Sequence, residues 1–155
     1  MKKLDEKQQE KIYILKVILK DIYKRVEGTP YRVIAVPGSF TLYELAEEIV
    51  KSFDFYFDHC FGFYDNLNSW TNSNECYELF KDIEEEQGLE PTCCKSVKKT
   101  RIDKVFNKIG RKMLFLFDYG DQWHFIVNLK RIESPKQNTD YPLVLESVGK
   151  VLQYG

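Results

Sequence analysis

The chain lacks the long apolar run that a membrane helix requires: nothing in it approaches the roughly 20 residues of a bilayer span. Its opening residues, Met1-Lys2-Lys3-Leu4-Asp5-Glu6-Lys7-Gln8-Gln9-Glu10, have no apolar core and so do not read as a signal peptide. A dominant charge sign is missing too. The formal net charge is -1, from 23 basic and 24 acidic residues, which argues against a generally basic nucleic-acid binder. No glycine-rich phosphate loop is present, and Ser39, Ser52 and Ser69 sit in no nucleophile-elbow context. Cysteine is sparse: Cys60, Cys76, Cys93 and Cys94 form no CxxC pair, so no structural zinc is expected. A cytoplasmic location is expected, with the four cysteines reduced and serving as small hydrophobes. No cofactor motif appears and no cofactor is expected.

At 155 residues the chain is long enough for one domain with its own core. Residues 1–11 read as a flexible tail and 12–155 as a single domain. The aromatic content of 15% is high, so rings should supply much of that core. From Ile12 to Ile22, β-branched and aromatic residues predict a long strand, although Ile12, Leu15, Leu19 and Ile22 would also suit a helix. Gly28-Thr29-Pro30 breaks it, and Tyr31-Arg32-Val33-Ile34-Ala35-Val36 predicts a second strand, antiparallel to the first. Tyr31, Val33 and Ala35 then share one face, with Arg32, Ile34 and Val36 on the other.

Thr41 and Glu44 form a capping box, followed by Leu42, Leu45, Ala46, Ile49, Val50 and Phe53 at helical spacing. An amphipathic helix of about three turns follows from this pattern. Residues 53–64 hold seven aromatics, which read more readily as a core wall than as a stacking platform. Residues 65–74 are polar and turn-rich and predict a mobile loop, in which Trp70 either pins the loop or meets a partner.

Charge then segregates. Residues 75–90 carry seven acids against Lys81, with Tyr77, Phe80 and Ile83 suggesting a short helix. Residues 95–112 carry eight bases against Asp103. There, Thr100 and Asp103 resemble a cap, Ile102, Val105, Phe106 and Ile109 a helical stripe, and Gly110 a C-cap. Such a basic helix invites phosphate binding through Lys98, Lys99, Arg101, Lys104, Lys108 and Arg111. The bland alternative is a solvated face whose charge offsets the acidic segment before it.

The most informative stretch is Phe117-Asp118-Tyr119-Gly120-Asp121-Gln122-Trp123, continuing into His124-Phe125-Ile126-Val127-Asn128-Leu129. Alternating apolar residues on both sides predict a hairpin turning at 119–122, with Gly120 supplying a positive φ and the aspartates accepting backbone amides. The incoming strand is apolar on both faces and should be central in its sheet. Residues 141–150 suggest one or two helical turns.

Three blocks resemble the plasmid pRiA4b ORF-3-like family of prokaryotic proteins, named after a plasmid open reading frame. They are Ile12-Tyr13-Ile14-Leu15-Lys16-Val17 with the second strand and capped helix, Asp58-His59-Cys60-Phe61-Gly62-Phe63, and the Asp-Tyr-Gly-Asp-x-Trp hairpin. The resemblance implies an α+β fold: a single-domain α/β roll with a curved, mainly antiparallel sheet and helices packed on one side. It also implies an association with plasmids and mobile elements. One departure is that the family usually reads Trp-x-His after the signature, where this chain has Phe125, with His124 one residue early. Strand alternation puts 124 and 125 on opposite faces, so His124 does not inherit that place.

Three functional readings follow. The first is a non-catalytic binding module with a cleft lined by His59, Trp70, Asp118, Asp121, Trp123 and His124. The alternative is a nucleic-acid-binding accessory protein using the basic segment. The third is a metal-dependent hydrolase with Asp58, His59, Asp118 and Asp121 as ligands. A protein or a nucleic acid is the partner class they allow; a membrane is not.

Overall fold

The computed structural model describes residues 10–88 and 92–154. The expected tail therefore lies outside the description over residues 1–9, as does Glu90 of the acidic run. Lys11 is held in place, its carbonyl accepting from the Gly38 amide at 2.9 Å. Eight strands form one open sheet: β1 (Ile12–Lys20), β2 (Tyr31–Pro37), β3 (Phe61–Tyr64), β4 (Cys76–Glu78), β5 (Lys95–Ser96), β6 (Lys112–Phe117), β7 (Trp123–Glu133) and β8 (Leu143–Val148). Their order is β5-β4-β3-β6-β7-β1-β2-β8, antiparallel throughout except for the parallel β4–β5 pair. Among the described residues three short α-helices accompany them: α1 (Leu42–Ser52), α2 (Leu79–Gln87) and α3 (Ile102–Val105). The fold is thus α+β, and more sheet-dominated than the expected roll with helices covering one side.

The first 70 residues follow their local signals. β1 and β2 pair antiparallel from Ile12↔Pro37 to Ile18↔Tyr31. The helical alternative for β1 loses because both of its edges are occupied, by β2 and by β7, so its backbone is fully paired as a strand. At α1 the capping box is complete: Thr41 Oγ1 accepts from the Glu44 amide at 3.1 Å, and Glu44 Oε1 accepts from the Thr41 amide at 2.9 Å. Its apolar stripe, from Leu42 to Val50, is fully buried against one face of the sheet with Leu15, Val17, Phe115, Phe125 and Val127. The aromatic run is a core wall, with Phe53, Phe55, Phe61 and Phe63 buried.

The other face of the sheet is covered in patches. Over β3 and β6, Tyr64, Leu114 and Leu116 pack with Leu67 and Trp70 of the 65–74 loop. Trp70 pins that loop, its ring 5.1 Å from Tyr64 and 5.6 Å from Tyr119. Asn66 Oδ1 accepts from the amides of Asn68 and Ser69, and Asp65 Oδ1 from that of Asn74. β6 is accordingly buried on both faces, as its composition requires.

Four expectations are corrected. The basic segment is no long helix: only Ile102–Val105 is helical, β5 occupies its start, and Thr100 provides no side-chain cap. The sheet claims its far end, where the Gly110 amide donates to the Leu129 carbonyl and Leu129 donates back to Arg111. Residues 143–148 form strand β8 rather than helical turns, because the outer edge of β2 was open to pair with them. Cys76 and Cys94 are not thiols but a disulfide; the adjacency of β4 and β5 brings their Cα atoms to 4.9 Å. Gly120 does not carry the positive φ of the hairpin turn, which falls on Asp118 (68°) and Gln122 (53°).

The acidic run is also partly structural. Asp82 is buried, its carboxylate accepting from Ser96 Oγ at 2.5 Å and the Val97 amide at 3.2 Å, so it ties α2 to β5. Thr41→Ala is expected to lower stability by about 1 kcal/mol, with Thr41→Ser keeping most of it. Chemical denaturation monitored by circular dichroism measures this.

Candidate functional site

The β6–β7 turn is built around Asp118. Its Oδ1 accepts from the amides of Gly120 (3.0 Å) and Asp121 (3.2 Å), and its carbonyl accepts from the Gln122 amide at 2.6 Å. The other carboxylate oxygen, Oδ2, lies 3.3 Å from His59 Nε2. His59 Nε2 is also 3.5 Å from Asp58 Oδ1 and 3.1 Å from the Tyr154 hydroxyl, which donates to Asp58 Oδ2 at 2.8 Å. That hydrogen bond to Asp58 holds the phenol proton and pushes Tyr154 up to about 12. His59 and Asp118 therefore meet beside the turn.

Beside this cluster lies a cleft of about 720 Å³. One wall is the turn, through Asp121 and Trp123; a second is the β1–β2 loop, through Arg25, Val26 and Glu27; the third is the C-terminal segment, through Lys150, Leu152, Gln153 and Tyr154. Arg25 is the clamp. Its guanidinium stacks 3.4 Å from the Trp123 ring centroid while donating to the carbonyls of Asp121 (3.0 Å) and Gln122 (3.2 Å). Asp21 orients it through a 3.4 Å ion pair and accepts the Val26 amide at 2.6 Å. Gln153 fastens the C-terminal wall, exchanging hydrogen bonds with the backbone of Tyr56 in both directions. Trp123 is buried as a core plug against Phe55, and its Nε1 has no partner among the described residues.

The six candidate cleft residues thus separate. Asp121 and Trp123 line the cleft, and His59 and Asp118 stand next to it, joined through Tyr154. Trp70 and His124 are on the opposite face of the sheet. His124 is buried, with Nε2 3.0 Å from Gln122 Oε1. Burial, then the nearby Lys20 and Arg25 charges, push it down to about 4. Arg25, Lys150 and Tyr154 were not singled out in the sequence. No local pattern marks them, because each reaches the site across the whole fold.

The nucleic-acid candidates do not form one free basic face. Lys98 pairs with Glu86 at 3.5 Å, Arg101 with Asp103 at 2.7 Å and Arg111 with Glu75 at 2.7 Å. Lys99, Lys104 and Lys108 are exposed. Among the described residues no group of three or more His, Cys, Asp or Glu side chains has the geometry to hold a metal ion. Nor, among them, is any helix long and apolar enough to cross a membrane.

A family model of plasmid pRiA4b ORF-3-like proteins matches residues 11–153. The chain belongs to this family. The 118–123 turn supplies one wall of the cleft, and beyond it Phe125 enters the core while His124 faces the other way. Among solved structures, the protein of unknown function MM3350 from Methanosarcina mazei Go1 is similar at 24% identity and a TM-score of 0.69. That match covers 91% of this chain and 71% of the archaeal one, and the likeness extends to the fold. No curated protein matches the chain.

The depressed His124 has a measurable consequence. Between pH 6.5 and about 4 the unfolded chain binds a proton that the folded one refuses, so stability is lost as pH falls through that window. With allowance for the water that still reaches the ring, the loss is on the order of 1–2 kcal/mol. His124→Gln should flatten this part of a stability–pH curve measured by urea unfolding. Arg25→Ala should cost about 1–3 kcal/mol and speed amide exchange at Asp121 and Gln122.

Proposed function

We propose that this pRiA4b ORF-3-like chain is a non-catalytic binding module that receives a small molecule in the cleft at its signature turn. The observation that carries this reading is the cleft itself: about 720 Å³, opening on Asp121 and Trp123 of the signature. That volume is in the range of small-ligand sites. Its chemistry favours recognition over reaction. The lining contains no Ser, Thr, Cys or His, and its one phenol, Tyr154, gives its proton to a hydrogen bond with Asp58. Arg25 is committed to Trp123 and two carbonyls, which makes it a rigid wall. Asp121, Glu27 and Lys150 carry no hydrogen bond or ion pair through their side-chain charges among the described residues. A ligand with an apolar or aromatic body and polar groups of both signs suits such a surface.

Amide-correlation NMR of 15N-labelled protein, screened with a library of small aromatic fragments, tests the reading. Fragment-induced shifts should cluster on Arg25, Asp121, the Trp123 indole N–H, Lys150 and Leu152. Asp121→Ala should weaken the best polar fragment at least tenfold, about 1.4 kcal/mol. Absence of shifts, or hits mapping consistently elsewhere, would overturn it.

A further inference from the structure

A covalent cross-link fastens one edge of the sheet. Cys76 opens β4 and Cys94 immediately precedes β5, so their disulfide joins the two strands where they begin. The two ends of this bond sit in different surroundings. Cys94 is buried, 8% exposed, among Tyr64, Leu114 and Leu116, whereas Cys76 is only half-buried beside that cluster. Leu67 and Trp70 of the 65–74 loop pack on the same cluster. Cys76 also closes that loop, since its register partner on β3 is Tyr64, the residue from which the loop departs.

The strands do not need the bond to stay together. Thr92 Oγ1 donates to Glu78 Oε1 and the Thr92 amide to Glu84 Oε2, both at 2.9 Å. Asp82 holds Ser96 and Val97, and β4 and β5 pair at Tyr77↔Lys95 and Glu78↔Ser96. Along its other side β4 is paired with β3. Opening the bond therefore leaves residues 92–97 docked by hydrogen bonds. What it removes is stiffness, because β5 is two residues long and lies at the edge of the sheet. A disulfide with an accessible end, whose loss the fold survives, has the features of a labile bond rather than a structural one. Where glutathione keeps thiols reduced, disulfides that occur at all are usually of this transient kind.

We propose that Cys76–Cys94 is a thiol-exchange switch, opened at Cys76 by a small thiol of the glutathione class and reclosed by the corresponding disulfide. The attacking thiolate bonds to Cys76 Sγ, the Cys76–Cys94 bond breaks, and Cys94 leaves as a thiolate that takes a proton from water. A second thiolate attacks the small-molecule sulfur of the mixed disulfide and releases Cys76. Two small thiols are thereby oxidised to one disulfide, and the protein disulfide is reduced to two thiols. Access selects the sulfur, because Tyr64, Leu114 and Leu116 enclose Cys94. In the open state β5 and the Cys76 end of the 65–74 loop lose their covalent tie and open locally more often.

Peptide mapping by mass spectrometry after alkylation tests this in a Cys93→Ser background, which removes the exposed neighbouring thiol. Millimolar glutathione should open the bond in the native protein, with the trapped adduct on Cys76 at least tenfold over Cys94. Glutathione disulfide should close it again. Cys94→Ser should be glutathionylated at Cys76 at least tenfold faster than Cys76→Ser is at Cys94. On reduction, amide exchange at residues 65–78 and 92–97 should speed at least tenfold, while exchange in β1, β6 and β7 stays unchanged. The proposal is overturned if the bond resists thiols until urea is added, or if the adduct forms chiefly on Cys94. It is equally overturned if reduction unfolds the whole chain, which marks a structural staple, or leaves exchange in both segments as it was.

Discussion

Asp118 stands at φ 68° with its carboxylate closed over two amides of the following turn, and the register of β6 against β7 depends on this arrangement. Left-handed backbone at a non-glycine residue costs on the order of 1 kcal/mol, which two side-chain hydrogen bonds of about 1 kcal/mol each more than offset. The register places Phe117 opposite Trp123, so both rings point into the core with Phe55. It also leaves Asp118 Oδ2 turned to His59 and the carbonyls of Asp121 and Gln122 turned to Arg25. A shift of one residue would exchange Trp123 with His124 and put an imidazole into an aromatic core.

From that register the sheet sorts its side chains into two environments. The face under α1 is a continuous core, while the opposite face is covered only near its ends. β7 contributes to both along one strand: Trp123, Phe125 and Val127 to the core, and His124, Ile126 and Asn128 to the partly open face. The cleft is made by loops gathered at one end of the sheet around the Arg25–Trp123 stack. The depression over Ile18 and Ile126 on the open face is floored by strands whose backbones are paired on both sides.

The parts of this architecture legible in the sequence are those whose cause is local. A capping box is complete within four residues, strand alternation within six, and the signature turn within its own loop. The parts missed are settled by partners far away. β8 is a strand because β2 offers an open edge more than a hundred residues earlier in the chain. The Cys76–Cys94 bond spans 18 residues and depends on β4 and β5 lying side by side. Arg25 reaches Asp121 across 96 residues, so a polar loop residue became the central clamp without any warning in its neighbourhood. The six residues named from the sequence for one cleft part company in the fold for a related reason. Residues 118–123 travel together on one turn, whereas Trp70 and His124 were assigned from residue type and proximity in sequence.

Charge shows the same division between chain and fold. The acidic and basic segments look like separate features in sequence, yet Glu75 meets Arg111, Glu86 meets Lys98, and Asp82 is consumed holding β5. Exposed pairs of this kind add little stability, typically under about 1 kcal/mol. Their effect is on the field. Screening confines a surface charge to about 8 Å at physiological salt, and a neighbour of opposite sign within 4 Å cancels most of what remains. Along 95–112 the cations that remain without a carboxylate partner among the described residues are interrupted by paired ones, so a phosphate backbone meets no continuous basic face. Lys150, with neither hydrogen bond nor ion pair among the described residues, stands instead in the concave surroundings of the cleft. At short range in a hollow, such a charge acts on whatever enters far more strongly than a paired one on an open face does.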